Sequence, residues 1–301
     1  MCIRDSLKLS KEEAAAITEL VCEQMDIASL KGIEHMPNLT VLDVSYNKIP
    51  DALAVEGYGK LTRLDCDHNP LTSLSVKGCK ALRELKANDC FYQDEYGKAI
   101  YTLAAIDLTG CGALETVNIE DNSIAVLDLH DCVSLREIRC AYNDLTTIDF
   151  SSCTKMTAIT CRNNPLHGLT LDVSMCPDLL YLACWEAGLA GVDVSGCPKL
   201  QELLGYYNDL NSIDISACPA LTRVDLHGTK ISALDLGNCS KLSWIDLKFN
   251  TIDRLDFSAC TELREVSLGY NELAELDLSM CPLLEAVSYT HLRAHETDQY
   301  L

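Results

Sequence analysis

Self-similarity at a period of 21 residues constrains this chain more than any other feature. An apolar residue opens a unit at Leu114, Leu135, Met156, Leu179, Leu200, Leu221, Leu242, Leu263 and Leu284, with one step of 23 among steps of 21. Earlier units open at Leu39, Leu61 and Leu82, and a half-formed one precedes them at Ile27, Leu30, Ile33 and Met36. Each full unit reads approximately L-x-x-L-x-C/L-x-x-N-x-L-x-x-L-D-L-S-x-C-x-x, as in LREIRCAYNDLTTIDFSSCTK from Leu135 to Lys155. One such unit cannot bury its own apolar face. Neighbours must therefore stack, and a recurring letter becomes a column.

The local structure of the unit follows from its pattern. The L-x-x-L-x-C/L segment turns apolar residues inward with period two, which predicts a short strand. At 21 residues the return arm has no room for a full helix, so "L-D-L-S" reads as a second extended stretch or tight turns. The Asn column comprises Asn47, Asn69, Asn122, Asn143, Asn164, Asn208, Asn250 and Asn271. A buried amide must satisfy its donors and acceptor, and stacked Asn can do so on backbone groups of the adjacent coil. Cys90, Ala187 and Thr229 interrupt the column and are expected to be softer points.

These motifs resemble the leucine-rich repeat family over residues 27–288, about eleven units. The early IASLKGIEHMPNLTVLDVSYNKI is similar to the opening repeats of internalins, and the later LDLSxC units are similar to cysteine-bearing repeats of bacterial surface proteins. The resemblance implies an α/β horseshoe. This is a right-handed leucine-rich-repeat solenoid with a parallel β-sheet on the concave face. It also implies protein recognition as the usual role.

Residues 10–26 are expected to form a short helical N-terminal cap. Ser10-Lys11-Glu12-Glu13 is a capping box, and Ala15, Ile17, Leu20, Val21 and Met25 would cover the first unit. No C-terminal cap is visible after Val287-Ser288. Residues 1–9 and 289–301 fit no register. "MCIRDS" and "YTHLRAHETDQYL" resemble translated sequencing adapters, and these ends are read as scars, so the true N-terminus is expected to be missing. About eleven extra residues lie between Cys90 and Asp107, rich in aromatics (Phe91, Tyr92, Tyr96, Tyr101), and two more at Gly168–Leu171. Both insertions should bulge from the coil after the Asn.

Composition narrows the partners. A formal net charge of −21 argues against nucleic acid and against anionic membrane surfaces, since both need Lys and Arg. No apolar run is long enough for a bilayer span. Ten of the 17 cysteines share one repeat position (Cys79, Cys111, Cys132, Cys153, Cys176, Cys197, Cys218, Cys239, Cys260, Cys281). Cys66, Cys140, Cys161 and Cys184 take an inward strand position. Both sets read as small apolar fillers. Inter-coil spacing exceeds the roughly 3.5–4.5 Å between Cβ atoms that a disulfide needs. No C-x₂-C pair or Cys-His cluster suggests metal, so neither metal nor cofactor is expected. The column Asp107, Asp128, Asp149, Asp172, Asp193, Asp214, Asp235, Asp256 and Asp277 reads as solvated charge, with too few ligands per coil for calcium. No catalytic motif appears, and the chain is expected not to be an enzyme.

The outward strand positions carry the functional expectation. Early units are polar there, with Arg63, Asp65, Asp67, His68, Glu84, Lys86 and Asp89. Later units carry Tyr142, Tyr181, Trp185, Tyr206, Tyr207, Trp244, Phe249 and Tyr270, which include both Trp of the chain. Rings can stack across strands merely to stabilise a sheet, but Trp and Tyr also dominate interface hot spots. The expected site is this aromatic band, with Trp185, Tyr207, Trp244 and Phe249 as anchors and Arg223, Lys248 and Arg264 orienting the partner. Glu186, Glu202, Asp225, His227 and Glu265 form the polar rim. The leading expectation is a non-catalytic protein-binding module, extracellular or at a bacterial cell surface. Glycan binding on the same face and a cytoplasmic scaffold resembling leucine-rich phosphatase regulators are the alternatives; the many thiols favour the latter.

Overall fold

The computed structural model describes residues 9–289, so the outermost parts of the two unmatched ends lie outside the described residues. The chain is a parallel-sheet solenoid with almost no helix. It divides into two compact units, residues 1–155 and 156–301.

In the first unit, successive coils each lay one short strand into a parallel sheet. These strands are Glu19–Val21, Val41–Asp43, Arg63–Asp65, Glu84–Lys86, Thr116–Asn118 and Glu137–Arg139. The register is set by the inward Leu/Ile/Val column: Leu20, Leu42, Leu64, Leu85, Val117 and Ile138 face one another across the pairs. On the return arm Asp51–Ala54, Leu71–Ser75 and Ala105–Asp107 form a second parallel sheet. The insertion after Cys90 is an antiparallel hairpin, Phe91–Gln93 with Ala99–Tyr101, and it exposes Tyr92 and Tyr96.

The second unit repeats the plan with Ala158–Thr160, Tyr181–Ala183, Glu202–Leu204, Arg223–Asp225, Trp244–Asp246, Glu265–Ser267 and Ala286–Ser288. Its return arm pairs Thr170–Asp172 with Gly191–Asp193. The two-residue insertion turns at Gly168, whose φ of 75° suits glycine, and its N–H bonds Gly188 O at 2.9 Å.

The N-terminal helix is shorter than the sequence suggests. It covers only Lys11–Ala15, opened by the expected reciprocal capping box of Ser10 and Glu13. It does not continue to residue 26, because Glu19–Val21 is recruited as the first strand by Val41–Asp43. Ala14 is buried, whereas Val21 and Met25 are exposed. Strand pairing outcompetes helix here because Thr18 O already accepts Thr40 N at 2.7 Å, fixing an extended exit.

The Asn column behaves as its chemistry requires. Asn208 is 4% exposed; its amide donates to Cys184 O and Gly205 O at 2.9 Å and accepts from Leu189 N at 3.0 Å and Ala187 N at 3.2 Å. Asn47, Asn122, Asn143 and Asn250 bridge adjacent coils in the same manner. Where the column is broken, the next Asn reaches back. Asn122 Oδ1 takes Cys90 N at 3.2 Å, and Asn250 Oδ1 lies 2.6 Å from the Thr229 hydroxyl.

The Asp column does more than carry charge. In every one of its nine members Oδ1 accepts the backbone N–H two residues on, at 2.8–2.9 Å. These are Asx turns that bend the chain toward the cysteine. The sixteen described cysteines are buried, and several thiols point at a carbonyl one coil back, as Cys197 Sγ does at Val173 O, 3.2 Å.

Candidate functional site

Within the second unit, the outward residues of successive strands form a grid. Positions one, three and five of each strand segment point away from the core, because two, four and the opening Leu point in. Register places Tyr181, Glu202, Arg223, Trp244 and Glu265 in one column, and Ala183, Leu204, Asp225, Asp246 and Ser267 in the next. The fifth positions are Trp185, Tyr206, His227 and Lys248.

The fifth-position rings stack into a ladder. Trp185 and Tyr206 lie 4.9 Å apart with planes 14° from parallel, and Tyr206 and His227 4.6 Å apart at 12°. The Arg162 guanidinium caps the far face of Trp185 at 4.9 Å from its centroid. Coils repeat at about 4.8 Å, close to the stacking distance of flat rings, so aromatics at one repeat position must stack. Arg223 lies over the Trp244 ring at 4.3 Å.

Tyr207, Phe249 and Tyr270 occupy the residue before the Asn, where the turn demands a left-handed backbone, with φ of 51°, 57° and 61°. A bulky side chain is costly there and glycine is cheap. All three rings are about half exposed. Phe249 and Tyr270 stack at 4.5 Å, and Tyr207 stands edge-on to Tyr206 and His227. Gly228 sits in this column beneath the Tyr207 ring, where a Cβ would come within 2.5 Å of Cδ1.

Between the walls lies a lower floor. Ala183 is 0% exposed and Asp225 and Asp246 each 7%, although they point outward, because larger residues on either side overhang them. Asp225 Oδ1 meets His227 Nδ1 at 2.6 Å, and Asp246 Oδ2 meets Lys248 Nζ at 3.0 Å. Burial pushes the Asp225 carboxyl above its ordinary range, against the opposing hydrogen bond from His227.

The structure thus brings together Tyr181, Trp185, Tyr206, Tyr207, Arg223, Trp244, Lys248, Phe249 and Tyr270 on one face of the second unit. Arg264 does not join them: it precedes the strand Glu265–Ser267 and pairs with Glu285. Tyr142 belongs to the first unit, 45% exposed in the same left-handed turn position. His227, expected at the rim, is a rung of the ladder. Arg162 was not anticipated; its signal was its place one coil before Trp185.

The first unit carries a polar face. Tyr46 stacks on His68 at 4.0 Å, and Asp65, Asp67, Arg63 and Lys86 crowd around it. Burial, then the neighbouring Asp65, raises the Asp67 carboxyl to about 6. Further along, Glu84, Lys86, Thr116, Asn118, Glu137 and Arg139 line an open depression of about 250 Å³.

Known proteins share this fold. A leucine-rich-repeat family model matches residues 35–52. None of the curated proteins matches. Among solved structures, the functional domain of InlJ from Listeria monocytogenes superposes with a TM-score of 0.70 at 25% identity. The match covers 93% of this chain and 64% of that one. The internalin InlF from the same species gives 0.70 at 19% identity, covering 95% and 85%. The chain has a leucine-rich-repeat fold similar to that of these internalins. The leucine-rich-repeat protein LIC12759 of Leptospira interrogans, at 0.59 and 16% identity over 92% and 93%, shares the fold. The InlJ domain is described as including a cysteine ladder, which the buried thiol column here parallels. The chain spans less than two-thirds of the InlJ chain, and no helix among the described residues is long and apolar enough to cross a membrane.

Proposed function

We propose that this chain is a non-catalytic protein-binding module of a bacterial surface or secreted protein, and that it binds through the aromatic face of its second unit. The ring ladder Arg162–Trp185–Tyr206–His227 carries the reading. Its rungs are held before any partner arrives, so their ordering cost is met in folding and their contact area is available for association. The exposed Tyr207, Phe249 and Tyr270 widen the same surface, at a turn where smaller residues would be less strained. Solved structures of similar fold include the PEPR1–AtPEP1 complex, at a TM-score of 0.62, 18% identity, 85% of this chain and 42% of that one. The internalin likeness supports the surface location.

The ladder's geometry favours protein over glycan. Sugar stacking needs an open ring face, but Tyr206 has both faces covered and Trp185 is covered by Arg162 and Tyr206. The two rings offer edges. Biolayer interferometry of the chain against purified bacterial and host extracellular proteins tests the proposal. A binder should lose at least about 2 kcal/mol with Trp185→Ala and with Trp244→Ala. Undiminished binding by both folded variants, or rings needed only for polysaccharide, would overturn it.

A further inference from the structure

The channel between the ring walls has a composition that changes along its length. Its floor is apolar at Ala183 and Leu204, acidic at Asp225 and Asp246, and hydroxylic at Ser267. The wall adds Glu202 and Glu265 on either side of Arg223 and Trp244. Four carboxylates thus make up the acidic stretch and its flank. The cations nearby are committed, Arg223 to the Trp244 ring and Lys248 to Asp246, and the His227 ring lies against Asp225. Among the described residues, Glu202 and Glu265 have no ion-pair partner. Local charge is negative, in a chain of net charge −21.

Spacing then sets the complement. From Leu204, the next two floor residues lie one and two coils on, at about 4.8 and 9.6 Å. A polypeptide lying extended along the channel turns every second side chain downward, at about 6.7 Å intervals. An apolar side chain above Leu204 therefore places the next downward side chain between Asp225 and Asp246. Resting on the reading of this face as protein-binding, we infer that its occupant is an extended polypeptide segment carrying Lys or Arg two residues from an apolar side chain. The apolar group seats over Leu204 beside the Tyr206 rung, and the cation reaches the two floor carboxylates. Both are largely shielded from water, so a cation held there interacts more strongly than one at an exposed site.

The test is selection of a random dodecapeptide phage library on the full chain, with fluorescence anisotropy on the peptides recovered. The expected result is enrichment of Lys or Arg two positions from Leu, Ile, Phe or Trp, in either order. Those peptides should bind about tenfold or more weakly to Asp225→Asn/Asp246→Asn, or to the unaltered chain at 1 M rather than 0.1 M salt. The salt series decides the matter if the double variant does not fold. Peptides that require Trp185 yet show no basic preference would overturn this inference and leave the protein-binding reading standing. Peptides indifferent to Trp185→Ala, or none at all, would overturn both.

Discussion

Replacing Asn208 by Ala tests the physical basis of the stack most directly. The amide is 4% exposed and serves backbone groups on two coils, accepting from Ala187 N and Leu189 N and donating most closely to Cys184 O and Gly205 O. Each buried group left without a partner costs about 1–3 kcal/mol. Water entering the vacated space would satisfy some of them, so the net loss is about 3 kcal/mol. With a urea slope of about 3 kcal/mol per molar, the midpoint should fall by about 1 M. Both Trp lie in the second unit, so their fluorescence during urea unfolding reports the coils flanking Asn208. Hydrogen exchange should accelerate first at the Ala187 and Leu189 amides. Asn208→Asp keeps the acceptor but turns a carboxylate toward two carbonyls, and at neutral pH it should be no milder than Ala. A loss below about 1 kcal/mol for Asn208→Ala, with Leu189 still protected, would refute the claim that these amides hold adjacent coils together.

Three further outcomes follow from the same geometry. Burial pushes the Cys132, Cys161, Cys197, Cys218 and Cys260 thiols up to about 12, so a thiol-reactive disulfide reagent at pH 8 should label the native protein slowly and the urea-unfolded protein at once. Backbone and hydroxyl hydrogen bonds hold Asp149, Asp193 and Asp256 below the ordinary carboxylate range. Their stabilisation is complete above about pH 4 and lost as pH falls through the lowered values, and replacing the three by Asn should flatten that acid limb of the urea midpoint. Asp67 runs the other way: its value, raised to about 6, means stability declines as pH rises from about 4 through 6. Asp67→Asn should raise the midpoint at pH 7.5 and leave it unchanged at pH 3.5.

The periodic positions were legible because the coil admits few residue types at each. Leu182, Leu203, Val224 and Ile245 had to face in, and the Asn had to bridge coils; both expectations match the structure. What the pattern concealed was backbone geometry. Tyr207, Phe249 and Tyr270 look like strand residues by spacing but lie in a left-handed turn, visible only once φ is known. The Asp column looked like free charge because an Asx turn and a solvated carboxylate share one sequence, D-x-S. Helix propensity over residues 10–26 lost to a strand partner 22 residues away, which no local window contains. Arg264 shows the same limit. One step along the strand separates it from Glu265, and that step moves it from the ring face to its pairing with Glu285.

The solenoid itself explains why the aromatic face takes the form it does. Coil spacing and ring-stacking distance nearly coincide, so aromatics recurring at one position close against one another and hide their faces. Such a ladder is stiff, and on the proposed reading it would meet a partner through edges and through whatever lies between ladders. On that reading specificity would shift from the stacked rings to the smaller residues of the floor, which vary from Ala183 to Asp246. Tyr206→Ala isolates this effect, since it uncovers one face of Trp185 and one of His227 without touching the floor. The variant should bind a protein partner more weakly through lost stiffness, and should gain quenching of Trp185 by a flat aromatic probe such as methyl viologen. Equal quenching in the parent and the variant would mean that the Trp185 face was open from the start, and the preference for protein over sugar would lose its geometric ground.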